Sequence, residues 1–477
     1  MKTRLLIIGL TATLSIAATP VLSATSPAQK MVDRWSKGKA LRGLEVALSI
    51  VDADNGRSLA GIQPRRVMNP ASGTKLLTSA AALHTLPLKP NWETRVHAKV
   101  EGDRIEGDLR LIGSGDPKLL IGHLEALADE VKLMGVKRIE GGVVLHVGHF
   151  DSDSLPPAYE QKQSDAGYRP GTGALASNFG ALRVTVQPGR RVNGPVRVSV
   201  EGGLQAISLA NTAKTVRGKE RNISIKTVQM KGGKTQLLVS GTLGKTSKAH
   251  TERKRIHDPD RWTGLVFESL LKARDISIGS ALSMTREPLP DDAGPALKRI
   301  QGRSLPETLA DINTWSNNFM AEMLLKQMGC KPIRPCSWTQ AVKRVSEALV
   351  NLGLDKESFK FVNGSGLYKA TMVSAEAMTT LLVSMRGKGA KSAAFEGSLA
   401  VNAKPGTMRR RLLSKRMRGK VKAKTGTLNE VVSLSGYVPT RKGRTLAFAL
   451  FVNGASPQRT AAIRRQLDRL VARLTRL

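Results

Sequence analysis

The sequence predicts an α+β fold, and three observations carry that prediction. Segments near both ends read as antiparallel strand pairs: VALSIVDADNGRSLAGIQP around the turn Asp54-Asn55-Gly56, and VKAKTGTLNEVVSLSGYVP with RKGRTLAFALFVNG. Runs of good helix formers with recognisable start signals lie inside them. Between about residue 91 and residue 289, stretches such as HAKVEGDRIEGDLRLIG, ALRVTVQPG, PVRVSVEGG and KTQLLVSGTLG alternate apolar with polar residues. Gly and Pro turns punctuate them and the helix RWTGLVFESLLKAR closes them, the pattern of a strand-rich insertion.

The 477 residues suffice for two or three domains whose cores need no metal or disulfide staple. A content of 40% hydrophobic and 24% charged residues excludes both a disordered chain and an integral membrane protein. The 75 Lys and Arg outweigh 38 Asp and Glu, a net charge of +37. That excess predicts attraction to a polyanion, whether nucleic acid, anionic lipid or acidic wall polymer, and is silent about fold.

Lys2 and Arg4 precede the apolar run LLIIGLTATLSIAA, which ends in small residues, so residues 1–24 read as a secretory signal with cleavage near Ala24. The run is too short to span a bilayer, and no later stretch offers 18 apolar residues. The expected product is exported, to the periplasm, which removes cytosolic nucleic acid as a partner. Sparse aromatics argue the same way, since single-stranded nucleic acid is held by stacking. In an oxidising compartment Cys330 and Cys336, in the turn-rich GCKPIRPCSW, pair most simply as a local disulfide. Of the seven histidines, His146 and His149 sit close together in GGVVLHVGHFD. Residues three apart on a strand face opposite ways, so no metal site is expected there.

In VMNPASGTKLLTSAAALHTL, Pro70 ends a loop and Ser72 opens a helix that places Ser72 and Lys75 on one face. Alone, the serine reads equally as a helix cap. Two further segments change the balance. In SLPETLADINTWSNNFMAEMLLKQMG, a helix from Ser304 breaks near Trp315, and Ser316-Asn317-Asn318 leads into a second. Near the end, Lys424-Thr425-Gly426-Thr427 enters a strand. Ser-x-x-Lys at a helix start, Ser-x-Asn between helices and Lys-Thr-Gly on a strand, in that order, form a specific constellation.

With these motifs the chain resembles the penicillin-recognising serine acyltransferases. Among them it is most similar to the type-4 penicillin-binding proteins, D-alanyl-D-alanine carboxypeptidases and endopeptidases, in NPASGTKLLTSAAAL, SNNFMAEMLL, VNGSGL and AKTGTLNEVVSLSGYV. The long separation of Lys75 from Ser316 fits that group and not a β-lactamase. One departure is Asn363 in VNGSGL, where the resemblance leads one to expect Asp; it bears on the loop's hydrogen bonding.

The resemblance implies a penicillin-binding, β-lactamase-like transpeptidase domain, an antiparallel sheet flanked by helices, from residues 25–90 and 290–477. The insert domain takes residues 91–181 and 246–289, and a nested β-rich subdomain residues 182–245. By residue type, Ser72 is a nucleophile that needs a base, and Lys75 can serve if desolvation or a second cation, Lys424, disfavours its ammonium form. The resemblance further implies that Ser316 relays a proton to the leaving amine and that Asn318 holds a substrate carbonyl. It implies that Thr425, Gly426 and Thr427 bind the terminal carboxylate, and that the backbone N–H groups of Ser72 and Thr427 form the oxyanion hole. GSGDPKL, from Gly113 to Leu119, resembles a family loop near the site, and Asp165 is a candidate for the substrate side chain or an exposed loop acid. The substrates implied are peptidoglycan stem peptides, with β-lactam antibiotics as covalent inhibitors and no cofactor.

A β-lactamase alternative requires a deacylating Glu-x-x-x-Asn, present as Glu347 to Asn351. Val342, Val345, Leu349 and Leu352 fall at helical spacing around it, which makes Glu347 a solvated helix position. A catalytically silent wall-binding protein is the other alternative. Basic residues crowd the insert, from Arg190 to Lys248 and in Arg253-Lys254-Arg255, and the last helix, SPQRTAAIRRQLDRLVARLTRL, is basic and amphipathic. They read as solvated faces, with an anionic wall or membrane contact as the sharper reading. The last helix is expected to cover the terminal hairpin.

Overall fold

The computed structural model describes residues 26–330 and 335–477; the proposed export segment, residues 1–24, lies outside them. A six-stranded antiparallel sheet forms the centre, in the order Ser58–Ile62, Glu45–Asp52, Thr445–Asn453, Val431–Pro439, Lys422–Leu428, Ala400–Val401. The first and last parts of the chain thus interleave: Leu48 pairs with Leu450, and Lys424 with Ser435. The strand Thr445–Asn453 is buried on both faces, which is why it reads as an almost unbroken apolar run. Ala447, Ala449 and Phe451 face one core, with the helices Thr74–Thr85, Leu305–Trp315 and Asn318–Met328. Leu446, Phe448, Leu450 and Val452 face another.

That second core is closed by the basic terminal helix, Thr460–Leu474, whose Ile463, Leu467, Leu470, Val471 and Leu474 are buried. Trp35, from the helix Pro27–Ser36, donates its indole N–H to Gln466 O at 2.8 Å. The apolar stripe of the last helix is therefore spent on the sheet, and Arg464, Arg465, Arg469 and Arg473 face outward.

The insert is built on a second sheet in which Glu93–Glu101 and Arg104–Gly113 pair as a hairpin under the helices Ile121–Leu133 and Pro259–Lys272. The first of these helices carries Leu124, Leu127, Ala128 and Val131 at helical spacing inside a segment read as mostly strand. Two boundaries fall later than expected. Ala296–Gln301 pairs with Glu93–Glu101, so this sheet reaches past residue 289; its six residues sit behind the Pro-rich EPLPDDAGP and carry too little alternation to announce a strand. Likewise His250–Arg255 pairs with Ala181–Gln187, extending the nested β-rich part beyond residue 245. That part comprises this three-stranded sheet and a four-stranded one around Thr235–Gly244. One apolar cluster runs from Leu109 and Leu145 through Leu182 and Val184 to Leu237 and Leu243, so the insert and its nested part share a core.

Candidate active site

Ser72 lies in a short 3-10 turn, Ala71–Gly73, that runs into the helix Thr74–Thr85, and it does not cap that helix. Two side chains hold the turn, which is itself strained. Asn69 Oδ1 accepts the Ala71 N–H at 2.7 Å, Ser433 donates to Pro70 O at 2.6 Å, and Ala71 adopts φ 48°. A left-handed alanine beside Ser72 is strain stored where the surrounding structure can enforce it. Two glycines let neighbouring chains come close enough to enforce it. A Cβ on Gly426 would lie 2.5 Å from Pro70 O, and one on Gly366 1.9 Å from Ala71 O.

Lys75 Nζ lies 3.1 Å from Ser72 Oγ, 2.7 Å from Asn318 Oδ1 and 2.7 Å from the Ser365 carbonyl. Ser316 sits at φ 59°, between the helices Leu305–Trp315 and Asn318–Met328, and Lys424 Nζ donates to its Oγ at 2.9 Å. Lys75 with Ser72 and Lys424 with Ser316 thus form two lysine–serine pairs, and Asn318 holds the first. Both lysines are fully buried. Burial pushes the Lys75 ammonium down to about 7, opposed by the nearby Glu322 carboxylate. Lys424 is pushed well below the ordinary lysine range by burial and then by repulsion from Lys75. Desolvation is therefore the leading cause of the Lys75 shift, and like-charge repulsion falls on Lys424.

Thr425 and Thr427 border a cavity of about 530 Å³ with Ser72 and Ser316. Thr427 Oγ1 accepts from Arg464 Nη2 at 2.9 Å, an arginine of the terminal helix. On the other side of Ser316 a cavity of about 860 Å³ is bordered by Asn318, Lys118, Asp311 and the insert residues Ala166, Gly167 and Tyr168. Asn318 Nδ2 donates to Tyr168 O at 2.8 Å, tying the insert to the site. Lys118, from the GSGDPKL loop, pairs with Asp311 at its rim.

Asp165, two residues before Gly167, turns away from both cavities. Its carboxylate accepts the Thr227 N–H at 2.9 Å and lies 3.6 Å from Lys254 Nζ, so it fastens the nested subdomain. Asn363 completes its loop: Nδ2 donates to Leu367 O and Pro157 O, and Oδ1 accepts the Gly366 N–H at 2.9 Å. An aspartate could not make those two donations. Glu347 stands on the helix Trp338–Asn351, 60% exposed and 4.0 Å from Lys343, and borders neither cavity at Ser316.

Cys330 and Cys336 are joined in a disulfide. His149 lies past the end of the strand Val143–His146 rather than on it, and its Nε2 is 3.7 Å from Cys330 Sγ. Among the described residues this trio, His149, Cys330 and Cys336, brings metal-type ligand atoms within 4.8 Å. Two of its three ligands are already bonded to each other.

One supporting residue lies outside the three motifs. Glu322 is fully buried and accepts the N–H groups of Gly364 at 3.0 Å and Ser365 at 2.8 Å, with the Tyr159 hydroxyl at 3.3 Å. A glutamate in the otherwise apolar FMAEMLL was the available signal, because a buried carboxylate needs donors.

An antiparallel sheet flanked by helices, with a serine and a lysine one turn apart at the start of one helix and a second lysine on the strand Lys422–Leu428, is the penicillin-binding, β-lactamase-like fold. A model of the D-Ala-D-Ala carboxypeptidase 3 (S13) family matches residues 28–474, and the chain belongs to that family of serine peptidases. It is 28% identical over 477 residues to a D-alanyl-D-alanine carboxypeptidase of Actinomadura sp. (strain R39), covering 96% of this chain and 87% of that one. With the D-alanyl-D-alanine carboxypeptidase DacB of Haemophilus influenzae it shares 22% identity over 88% of this chain and 87% of the other. Among solved structures, penicillin binding protein 4 (dacB) from Haemophilus influenzae superposes with a TM-score of 0.80 at 20% identity, over 94% of this chain and 99% of that one. A predatory peptidoglycan endopeptidase from Bdellovibrio bacteriovorus gives 0.53 at 16% identity, over 91% and 92%.

Proposed function

We propose that this serine D,D-peptidase hydrolyses the peptide bond that follows a D-alanine in peptidoglycan stem peptides, through an acyl-enzyme on Ser72, after export to the periplasm. The observation that carries the reading is the Lys75–Ser72 hydrogen bond at 3.1 Å, made by a buried lysine held at about 7. A lysine of that pKa is part neutral at physiological pH and can take the Ser72 proton as Oγ attacks the carbonyl carbon.

In this mechanism the N–H groups of Ser72 and Thr427 receive the developing oxyanion. Thr425 and Thr427, with Gly426 between them, receive the carboxylate beyond the scissile bond. As the C–N bond breaks, Ser316, hydrogen-bonded to Lys424, relays to the departing amine the proton that Lys75 took from Ser72, which leaves Lys75 neutral again. Asn318 orients Lys75 through Oδ1 and faces the acyl side. Water then attacks the ester, and Lys75 accepts its proton. A β-lactam opens on the same serine but leaves its amine tethered in the site, which obstructs that water. Asp165 retains a role toward the acyl-side group only indirectly, through the backbone of residues 166–168 that border the larger cavity.

Intact-mass measurement after incubation with a penicillin tests this directly. The expected result is one covalent adduct, absent in Ser72→Ala, together with release of D-alanine from monomeric stems or of monomers from a cross-linked dimer. A folded protein without that adduct overturns the reading. Recovery from the periplasm of a mature chain beginning near Thr25 is the matching expectation for the export segment.

A further inference from the structure

The cavity that holds Ser72, Ser316, Thr425 and Thr427 is walled on its far side by four arginines, Arg410, Arg411, Arg464 and Arg465. One acid, Asp468, shares that wall, and Arg411 takes it in a two-pronged pair at 3.0 and 2.7 Å. Arg410, Arg464 and Arg465 have no carboxylate partner among the described residues. Arg464 nevertheless has a fixed place, because its Nη2 donates to Thr427 Oγ1. Arg465 borders a second groove, of about 610 Å³, with Arg34, Lys39, Arg469 and Arg473, and no acidic side chain lines it. Cations therefore continue from the nucleophile around the terminal helix.

Unpaired guanidinium groups crowded on one wall repel one another, and a ligand with several carboxylates relieves that repulsion while using the planar donor fork of each. A departing D-alanine has a single carboxylate, which Thr425 and Thr427 already accommodate. A cross-linked acceptor stem, itself an acidic peptide, brings more.

Resting on the D,D-peptidase reading above, we infer that Arg410, Arg464 and Arg465 form a leaving-group subsite for an acidic peptide. The chain is then a cross-link endopeptidase in preference to a carboxypeptidase that releases free D-alanine.

The test compares kcat/KM for a cross-linked muropeptide dimer with that for a monomeric stem ending in D-Ala-D-Ala. It uses the mature enzyme and the variant Arg410→Gln/Arg464→Gln/Arg465→Gln. The wild type should prefer the dimer. The triple variant should lose about a hundredfold or more on the dimer and about tenfold on the monomer, since one arginine–carboxylate contact is worth about tenfold. A second arm leaves the protein unchanged: amidating the carboxylates of the acceptor stem that lie beyond the scissile bond should erase the wild type's preference. Equal losses on both substrates, no loss on either, or indifference to amidation would each overturn the inference. Penicillin acylation of the wild type, measured in parallel, separates that outcome from failure of the D,D-peptidase reading itself.

Discussion

Glu322 and Lys75 are joined through one residue: the Glu322 carboxylate accepts the Ser365 N–H at 2.8 Å, and the carbonyl of the same Ser365 accepts from Lys75 Nζ at 2.7 Å. The glutamate thus shapes the loop that holds Lys75, and its charge supports the ammonium form of that lysine. In Glu322→Gln the amide nitrogen would face backbone N–H groups, leaving a buried donor unpaired at a cost of about 1–3 kcal/mol. The urea midpoint should fall accordingly. With the negative charge gone, the acid limb of the acylation profile should move to lower pH. An unchanged midpoint and profile would show that Glu322 does neither.

The acylation rate should follow the neutral fraction of Lys75. With its pKa at about 7, the rate should drop tenfold per pH unit below that value and level off above it. Stopped-flow acylation by a chromogenic β-lactam measures this, and a limb near the ordinary lysine pKa would remove Lys75 as the base. The same shift bears on stability. Between about 7 and the ordinary 10.5, the unfolded chain keeps a proton that the folded one has released, so this group makes folding more favourable as pH rises through that window.

Lys424→Met keeps volume and removes the amine that donates to Ser316. Acylation should fall by about a hundredfold, the usual worth of a positioned proton-transfer group. Because burying an amine is costly, thermal stability should hold or rise. A melting temperature that falls along with the rate would assign Lys424 to the fold instead.

Replacing both cysteines by serine should lower unfolding free energy by about 2 kcal/mol, the loop-closure value for a bridge spanning six positions. Penicillin acylation should be unaffected, because the bridge lies at the end of the helix Asn318–Met328 opposite Asn318. Denaturant unfolding with and without reductant measures it, and identical curves would contradict the expected contribution.

The helices and hairpins that position the site were legible because each is written in a short window. Ser304 with Glu307 caps the helix Leu305–Trp315, and Asp54-Asn55-Gly56 turns the first hairpin. The helix Ile121–Leu133 was equally local, but its apolar positions were masked by the alternating segments on either side. Ala296–Gln301 was not legible at all: it is a strand because Glu93–Glu101 offers it an edge. Asp165 shows the limit for single residues. Its loop does reach the site, yet the carboxylate points to Thr227, and a strand register sixty residues away cannot be read from the loop.

By itself the sequence determined that Ser72 and Lys75 lie one turn apart, since such a turn is a property of neighbouring residues. It also determined that a Ser-x-Asn break and a Lys-Thr-Gly strand exist to meet them. Tertiary structure alone decided the chemistry of the meeting. The Lys75 pKa depends on water being excluded by residues from distant segments, including Asn318, Ser365 and Glu322. Arg464 is one of many arginines in the chain until the sheet buries the other side of its helix and turns that guanidinium onto Thr427. Desolvation and charge act through space, and their partners are chosen by folding.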